Sequence, residues 1–421
     1  MKRIELAPGA YLNLLPADKF NRCRVNVQLR YPADRARATA LALLPFLMER
    51  CCADHPDMTD LSCHLARLYG ADLAVDSTAA GSGRCLSVTV GGIAPRFALS
   101  GEDLAGEYLA LALGVAFRPH FADGMFLPEE VEIEKEKLAE ELAAEINDKR
   151  MYCLRQARRR FYGSHPAGIE RTGYADEVKG LTAETVTEAW RWMVENAQLE
   201  VFCAGIPEEL AARRVREALA PLTRTPQPLP APVQLPAAPL VEETERMEMV
   251  QAKLCMLFTV EDFQPSRDLD AMRVAMAVLG GSPTSRLFTN VREKQSLCYY
   301  CAASFNSFGG MMCIDSGVLP ENAARAREAI LHEWQTLCSQ PPAEAELEDA
   351  RRFVANSLAA VEDSLAAQET WYSGQLWRGD TAAPDEARRA LEKVTADEVA
   401  EQMKKFRFAV CYLLTKEDTA E

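Results

Sequence analysis

The sequence predicts an α+β protein of two tandem homologous domains, each a mainly antiparallel sheet covered by helices on one face. Three observations carry this. A proline-rich stretch, Pro221–Pro239, divides the chain near its middle, the two halves repeat one order of strand and helix patterns, and each half ends with an amphipathic helix leading into an apolar strand.

The dividing stretch, PLTRTPQPLPAPVQLPAAP, holds seven prolines. Proline fixes φ and lacks an N–H donor, so this segment reads as an extended, semi-rigid spacer rather than a helix or central strand. The expected domains are therefore 1–220 and 244–421, joined by a linker over 221–243.

In the first half the strand-like CRVNVQLRY (Cys23–Tyr31) precedes the apolar helix ARATALALLPFLMER from Ala36. In the second, KLCMLFTVE (Lys253–Glu261) precedes SRDLDAMRVAMAVLGG from Ser266 at the same spacing. Next, LSCHLARLYG from Leu61 and CLSVTV from Cys85 correspond to LFTNVREKQS from Leu287 and MMCIDS from Met311, at one constant offset. Both halves then carry a long acidic helix, from Glu129 and from Glu344. Both close on a helix and strand, LEVFCAG from Leu199 and FAVCYLL from Phe408, and Thr395 with Glu398 forms a capping box that fixes the start of the last helix.

Composition removes several function classes. A net charge of −15 repels phosphate backbones and anionic lipid surfaces, which argues against nucleic acid and membrane partners. No apolar run approaches the ~20 residues of a membrane span. The N-terminus, MKRIELAPGAYLNLLP, lacks the apolar core and cleavage site of a signal peptide. Thirteen cysteines without framework spacing read as reduced thiols, which places the chain in the cytoplasm. Cys298 and Cys301 form a single CxxC, but on a regular strand an offset of three points the thiols to opposite faces.

The most specific string is LGGSPTSRLFTNVREKQSLCYYCAASF, Leu279–Phe305. It resembles the C-terminal domain of the pitrilysin or insulinase-like metallopeptidases, in which a glycine-containing loop, an SRLF-like turn and a VREK-x-x-L-x-Y segment occur in this order. The duplication, the linker and the glutamate-rich helix extend the resemblance over essentially the whole chain. Members of this inverzincin type carry H-x-x-E-H on the first helix and a distal glutamate on the acidic helix. Two imidazoles one turn apart and a carboxylate hold zinc, leave a fourth position for water, and set the motif glutamate beside it as base.

In this sequence the motif falls on Phe46-Leu47-Met48-Glu49-Arg50. Glu49 keeps the base position as a vestige, while Phe46 and Arg50 stand where the histidines belong. Phenylalanine offers no lone pair, and arginine stays protonated. Glu134 and Glu141 keep the family's spacing of seven, with Glu141 at the distal ligand position. One carboxylate does not retain a catalytic zinc, and the five histidines (His55, His64, His120, His165 and His332) show no replacement pair. No cofactor is expected in this chain. Two readings of Glu49 and Arg50 stand side by side, an inherited pocket or a solvated helix end, and Glu134 and Glu141 likewise read as pocket residues or as part of a charged face.

In two-chain members of the family, one subunit carries zinc and the other supplies an arginine and a tyrosine. The matching residues here are Arg292 and Tyr299, suited to binding a substrate carbonyl and donating to an oxyanion. Alternatively, Arg292 pairs with Glu293 and Tyr299 fills core. The resemblance implies a zinc-free subunit that pairs with an H-x-x-E-H-bearing relative to process peptides. A stand-alone peptide-binding or assembly protein and a homodimer with another role are the alternatives. Gln295-Ser296 replaces the usual Arg-Gly, which alters the loop.

Overall fold

A computed structural model of the chain describes residues 1–417. They form two compact units. Unit 1 comprises Met1–Ala143, Ile169–Pro230 and Ser364–Thr381, and unit 2 comprises Ala144–Gly168, Ala231–Asp363 and the chain from Ala382 onward. The halves 1–220 and 244–421 describe the duplication in sequence, whereas packing redistributes one helix from each. Lys149–Tyr162 belongs to unit 2 and Leu365–Trp377 to unit 1.

Unit 1 contains strands β1 (Lys2–Ala7), β2 (Ala10–Leu15), β3 (Arg22–Pro32), β4 (Asp72–Ala80) and β5 (Gly83–Ile93), a small hairpin of β6 (Phe121–Ala122) and β7 (Met125–Phe126), and β8 (Gln198–Ala204). Its main sheet has the order β1-β2-β8-β3-β5-β4, antiparallel except between β2 and β8. Alternation along β3 sets the two faces. Val25, Val27 and Leu29 are fully buried in the main core with residues of helices Ala38–Arg50, Leu104–Phe117 and Ala183–Asn196.

Arg24, Asn26 and Arg30 point the other way, and burying them costs free energy unless each finds a partner. Helix Leu365–Trp377 supplies the partners. Glu369 accepts from Arg24 Nε at 2.7 Å and Asn26 Nδ2 at 2.6 Å, and Ser373 Oγ accepts from Arg30 at 2.9 Å.

Unit 2 contains β9 (Val241–Arg246), β10 (Ala252–Val260), β11 (Cys298–Asn306), β12 (Met311–Val318) and β13 (Phe406–Thr415), ordered β11-β12-β10-β13-β9. Here β9 runs parallel to β13 and all other neighbours are antiparallel. The series β2-β8-β3-β5-β4 and β9-β13-β10-β12-β11 match strand for strand in order and direction, so the repeat read from the sequence is a repeat of fold. Helix Lys149–Tyr162 covers β10 and β13, with Cys153, Ala157 and Phe161 in one apolar cluster with Cys255, Leu257 and Tyr412.

The proline-rich stretch forms neither helix nor strand until β9 begins at Val241, two residues before the expected end of the linker at 243. It is tied down within each unit: Thr225 N donates to Glu195 O at 2.7 Å in unit 1, and Val233 N to Phe308 O at 2.8 Å in unit 2. Among the described residues, no helix is long and apolar enough to cross a membrane.

Candidate functional site

The helix Ala38–Arg50 delivers the degenerate motif. It stops because Cys51 turns extended (φ −167°, ψ 169°), after which Cys52 and His55 exchange two backbone hydrogen bonds in a tight loop. Leu47 and Met48 face the core, and Phe46, half-buried, packs its ring against the same cluster. Glu49 is exposed. Partial burial, and then the Asp76 carboxylate, push its carboxyl above the ordinary value.

Arg50 turns toward the acidic helix Pro128–Ala144. Its guanidinium lies 3.2 Å from Glu134 Oε1 and 3.7 Å from Glu130 Oε1. Glu134 is 1% exposed and is also held by Lys137 Nζ at 2.8 Å, so a buried carboxylate sits between two cations. Arg50 thus puts a fixed positive charge against two carboxylates of the acidic helix. Of the two glutamates spaced by seven, only Glu134 belongs to this arrangement. Glu141 is exposed, two turns further along.

Cys51, His120 and Glu130 also come together, on the flank of the Arg50 pair. No spacing in the sequence announces this trio, since His120 and Glu130 lie 69 and 79 residues beyond Cys51. Burial, and the Glu130 carboxylate beside it, push the Cys51 thiol up to about 12.

In unit 2, Arg292 lies in the last turn of a helical segment of wide turns, Leu287–Lys294. It stacks 4.7 Å over the Phe288 ring and lies 3.5 Å from Glu293 Oε1. Tyr299 does not fill core and is 56% exposed. Its exposure has a local cause. The β11 register slips against β12 between Cys298 and Tyr300, so Tyr299 is the extra residue of a bulge. The same bulge puts Cys298 (opposite Val318) and Cys301 (opposite Ser316) on one face, correcting the opposite-face expectation for this CxxC. A hydrogen bond from Cys301 brings the Cys298 thiol down to about 7 against its partial burial, with Ser316 and Arg292 adding to the effect. Ser296 just before has φ 51°, a left-handed conformation suited to the glycine the family usually has there.

Fold and sequence together point to one class, since the two-unit architecture is similar to that of proteins described as M16 peptidases. Residues 180–354 match the family described as "Peptidase M16 inactive domain". In sequence and in fold the chain is similar to inactive-type M16 peptidase homologues. It is 22% identical over 413 residues to "Probable inactive metalloprotease YmfF" of Bacillus subtilis (strain 168), with 96% of each chain covered. A conserved protein from Enterococcus faecalis V583 has the same fold, with a TM-score of 0.90 at 24% identity over 100% of this chain and 99% of that one. A Pseudomonas fluorescens structure described as a peptidase M16 inactive domain follows at TM-score 0.79 and 17% identity, over 100% and 99%.

Proposed function

We propose that this chain is the non-zinc-binding subunit of a heterodimeric, cytoplasmic insulinase-like peptidase. A partner with an intact H-x-x-E-H motif provides zinc and base, and this chain provides Arg292 and Tyr299 to the peptide substrate. One observation carries the reading: Tyr299 is lifted out of its sheet by a bulge and left exposed, which serves a residue that meets something beyond its own unit. A phenol so placed can donate to the oxyanion of a tetrahedral intermediate, and a guanidinium can hold a carbonyl or carboxylate. At the degenerate motif this chain holds Arg50 in place of zinc and performs no hydrolysis there.

The second reading, a stand-alone peptide-binding or assembly protein, is favoured by the contact Arg292 already has with Glu293. Co-expression with H-x-x-E-H-bearing relatives, followed by an assay on unstructured peptides, separates the two. The expected result is cleavage by the mixed complex only, with Arg292→Ala and Tyr299→Phe each lowering turnover by ~10²–10³ while the complex still assembles. Full activity in both variants removes the substrate-handling assignment. Peptide binding by the isolated chain, with no active complex formed, establishes the second reading.

A further inference from the structure

Just beyond the vacated motif, the fold gathers three metal-capable side chains from three separate elements. Cys51 is the first residue after the helix Ala38–Arg50, His120 immediately precedes β6, and Glu130 lies in the first turn of the acidic helix. Cys51 Sγ is 3.8 Å from His120 Nδ1 and 3.6 Å from Glu130 Oε1, and His120 Nδ1 is 3.5 Å from that same oxygen.

These separations can be compared with those an ion imposes. Zinc–ligand bonds of about 2.3 Å to sulfur, 2.0–2.1 Å to nitrogen and 2.0–2.2 Å to oxygen at tetrahedral angles give edges of about 3.6 Å for S–N and S–O and about 3.4 Å for N–O. The three measured edges agree to within ~0.3 Å.

The surroundings hold the trio in this shape. Ala53 N donates to Arg118 O at 2.9 Å, and the Arg118 guanidinium pairs with Asp54 at 3.0 Å, tying the loop after Cys51 to the segment that carries His120. Glu130 is steered by Arg50 Nε at 3.7 Å, and Arg50 is itself offset by Glu134. Cys51 is 2% exposed, and the side chains of Glu130 and His120 are 13% and 26% exposed, so the cluster is shielded yet open on the His120 side for entry of an ion.

We propose that Cys51, His120 and Glu130 form a Zn²⁺ site beside the degenerate motif, using none of the family's three ligand positions and leaving a fourth position for water. Thiolate, imidazole and one carboxylate suit a borderline ion such as Zn²⁺ or Co²⁺, whereas Mg²⁺ and Ca²⁺ require oxygen ligands. On binding, the Cys51 proton leaves to solvent, a sulfur–metal bond forms, and no oxidation state changes. The ion clamps the end of the motif helix to the start of the acidic helix. This departs from the expectation of a cofactor-free chain, which rests on positions 46, 50 and 141 and on the lack of a histidine pair along the sequence. It is independent of any partner subunit.

The test uses the full chain by itself, stripped with chelator and titrated with Co²⁺ and then Zn²⁺. The expected result is one Co²⁺ per chain with thiolate-to-cobalt charge-transfer absorption, displaced by one equivalent of Zn²⁺. Cys51→Ser abolishes the absorption. Glu130→Gln and His120→Ala each weaken binding by more than the roughly 10–100-fold that loss of an outer-shell partner costs. Glu141→Gln leaves binding unchanged, as does His64→Ala in the separate His55–His64 stack. A wild-type chain that takes up no stoichiometric cobalt overturns the proposal whatever the variants do. So does an absorption that persists in folded Cys51→Ser or depends on His64.

Discussion

At the end of the helix that follows β3, unit 1 sets Arg50 against Glu134 and Glu130. After β10 in unit 2, where Lys253 aligns with Cys23, the residue aligned with Arg50 is Gly280. It is buried so tightly that an added Cβ would stand 2.6 Å from Ala303 N and 2.7 Å from Leu287 Cδ1. The same place in one fold is a charged pocket in one copy and backbone packed on backbone in the other. The difference lies in what faces it. The acidic helix presents Glu130 and Glu134 in unit 1, whereas the corresponding helix Glu344–Ala359, which also packs on this turn, buries Leu347 and Ala350. A polar side chain persists in an interior only where the opposite element answers it.

Asp268, near the start of the unit 2 helix Pro265–Met276, is the buried acid to set beside Glu134. It is 2% exposed and accepts from Arg267 at 2.9 Å, Lys405 at 2.7 Å and the Gln264 amide at 2.8 Å. Burial alone would raise its pKa, but these donors, Arg267 foremost, hold it well below the usual carboxylate range. A depressed pKa contributes stability that is present above the unfolded value and lost as pH falls toward the folded one. Asp268→Asn is expected to cost ~3–5 kcal/mol in urea unfolding at neutral pH. That cost should shrink in acid as the parent protein loses the same interaction. A cost that stays constant with pH contradicts the network.

Arg50→Met comes next, at about 3 kcal/mol, the low end for a broken buried pair, because Lys137 still neutralises part of Glu134. Glu134→Gln added to it should restore much of the loss through coupling, whereas Glu141→Gln should restore nothing. Additive costs for Arg50→Met and Glu134→Gln would return Arg50 to the role of a solvated helix end. In unit 2 the matching perturbation is steric. Gly280→Ala forces a side chain against the Ala303 backbone, with an expected loss of ~1–3 kcal/mol read from the same denaturation curves. The smallest effect has the opposite sign: Ser296→Gly relieves a left-handed residue and should stabilise by about 1 kcal/mol, and no gain would mean the loop has accommodated serine without strain.

The duplication was legible because strand alternation and helix spacing recur in register, so β10 and β12 were readable from β3 and β5. Arg50 reaching Glu134 was among the contacts open to it from the motif's place on its helix. Two features were out of reach. The bulge at Tyr299 inserts one residue into an otherwise regular pattern, and nothing in CYYC marks where alternation breaks. Cys51, His120 and Glu130 meet only through long-range packing, and their types carry no ligand spacing along the chain. Nor does an amphipathic pattern say which sheet a helix will cover, so the destinations of Lys149–Tyr162 and Leu365–Trp377 were not written in their own residues.

That redistribution bears on how the protein is born. When the ribosome has finished Pro230, the whole unit 1 sheet has been made, yet Arg24, Asn26 and Arg30 await Glu369 and Ser373, well over a hundred residues later. At ~5–20 residues per second, on the order of ten seconds pass before the covering helix emerges. Through that interval Leu15, Phe202 and Ala204, which pack with Leu365 and Tyr372 in the finished unit, stay uncovered beside those polar side chains. A truncation anywhere before Leu365 would trap the protein in that unfinished state.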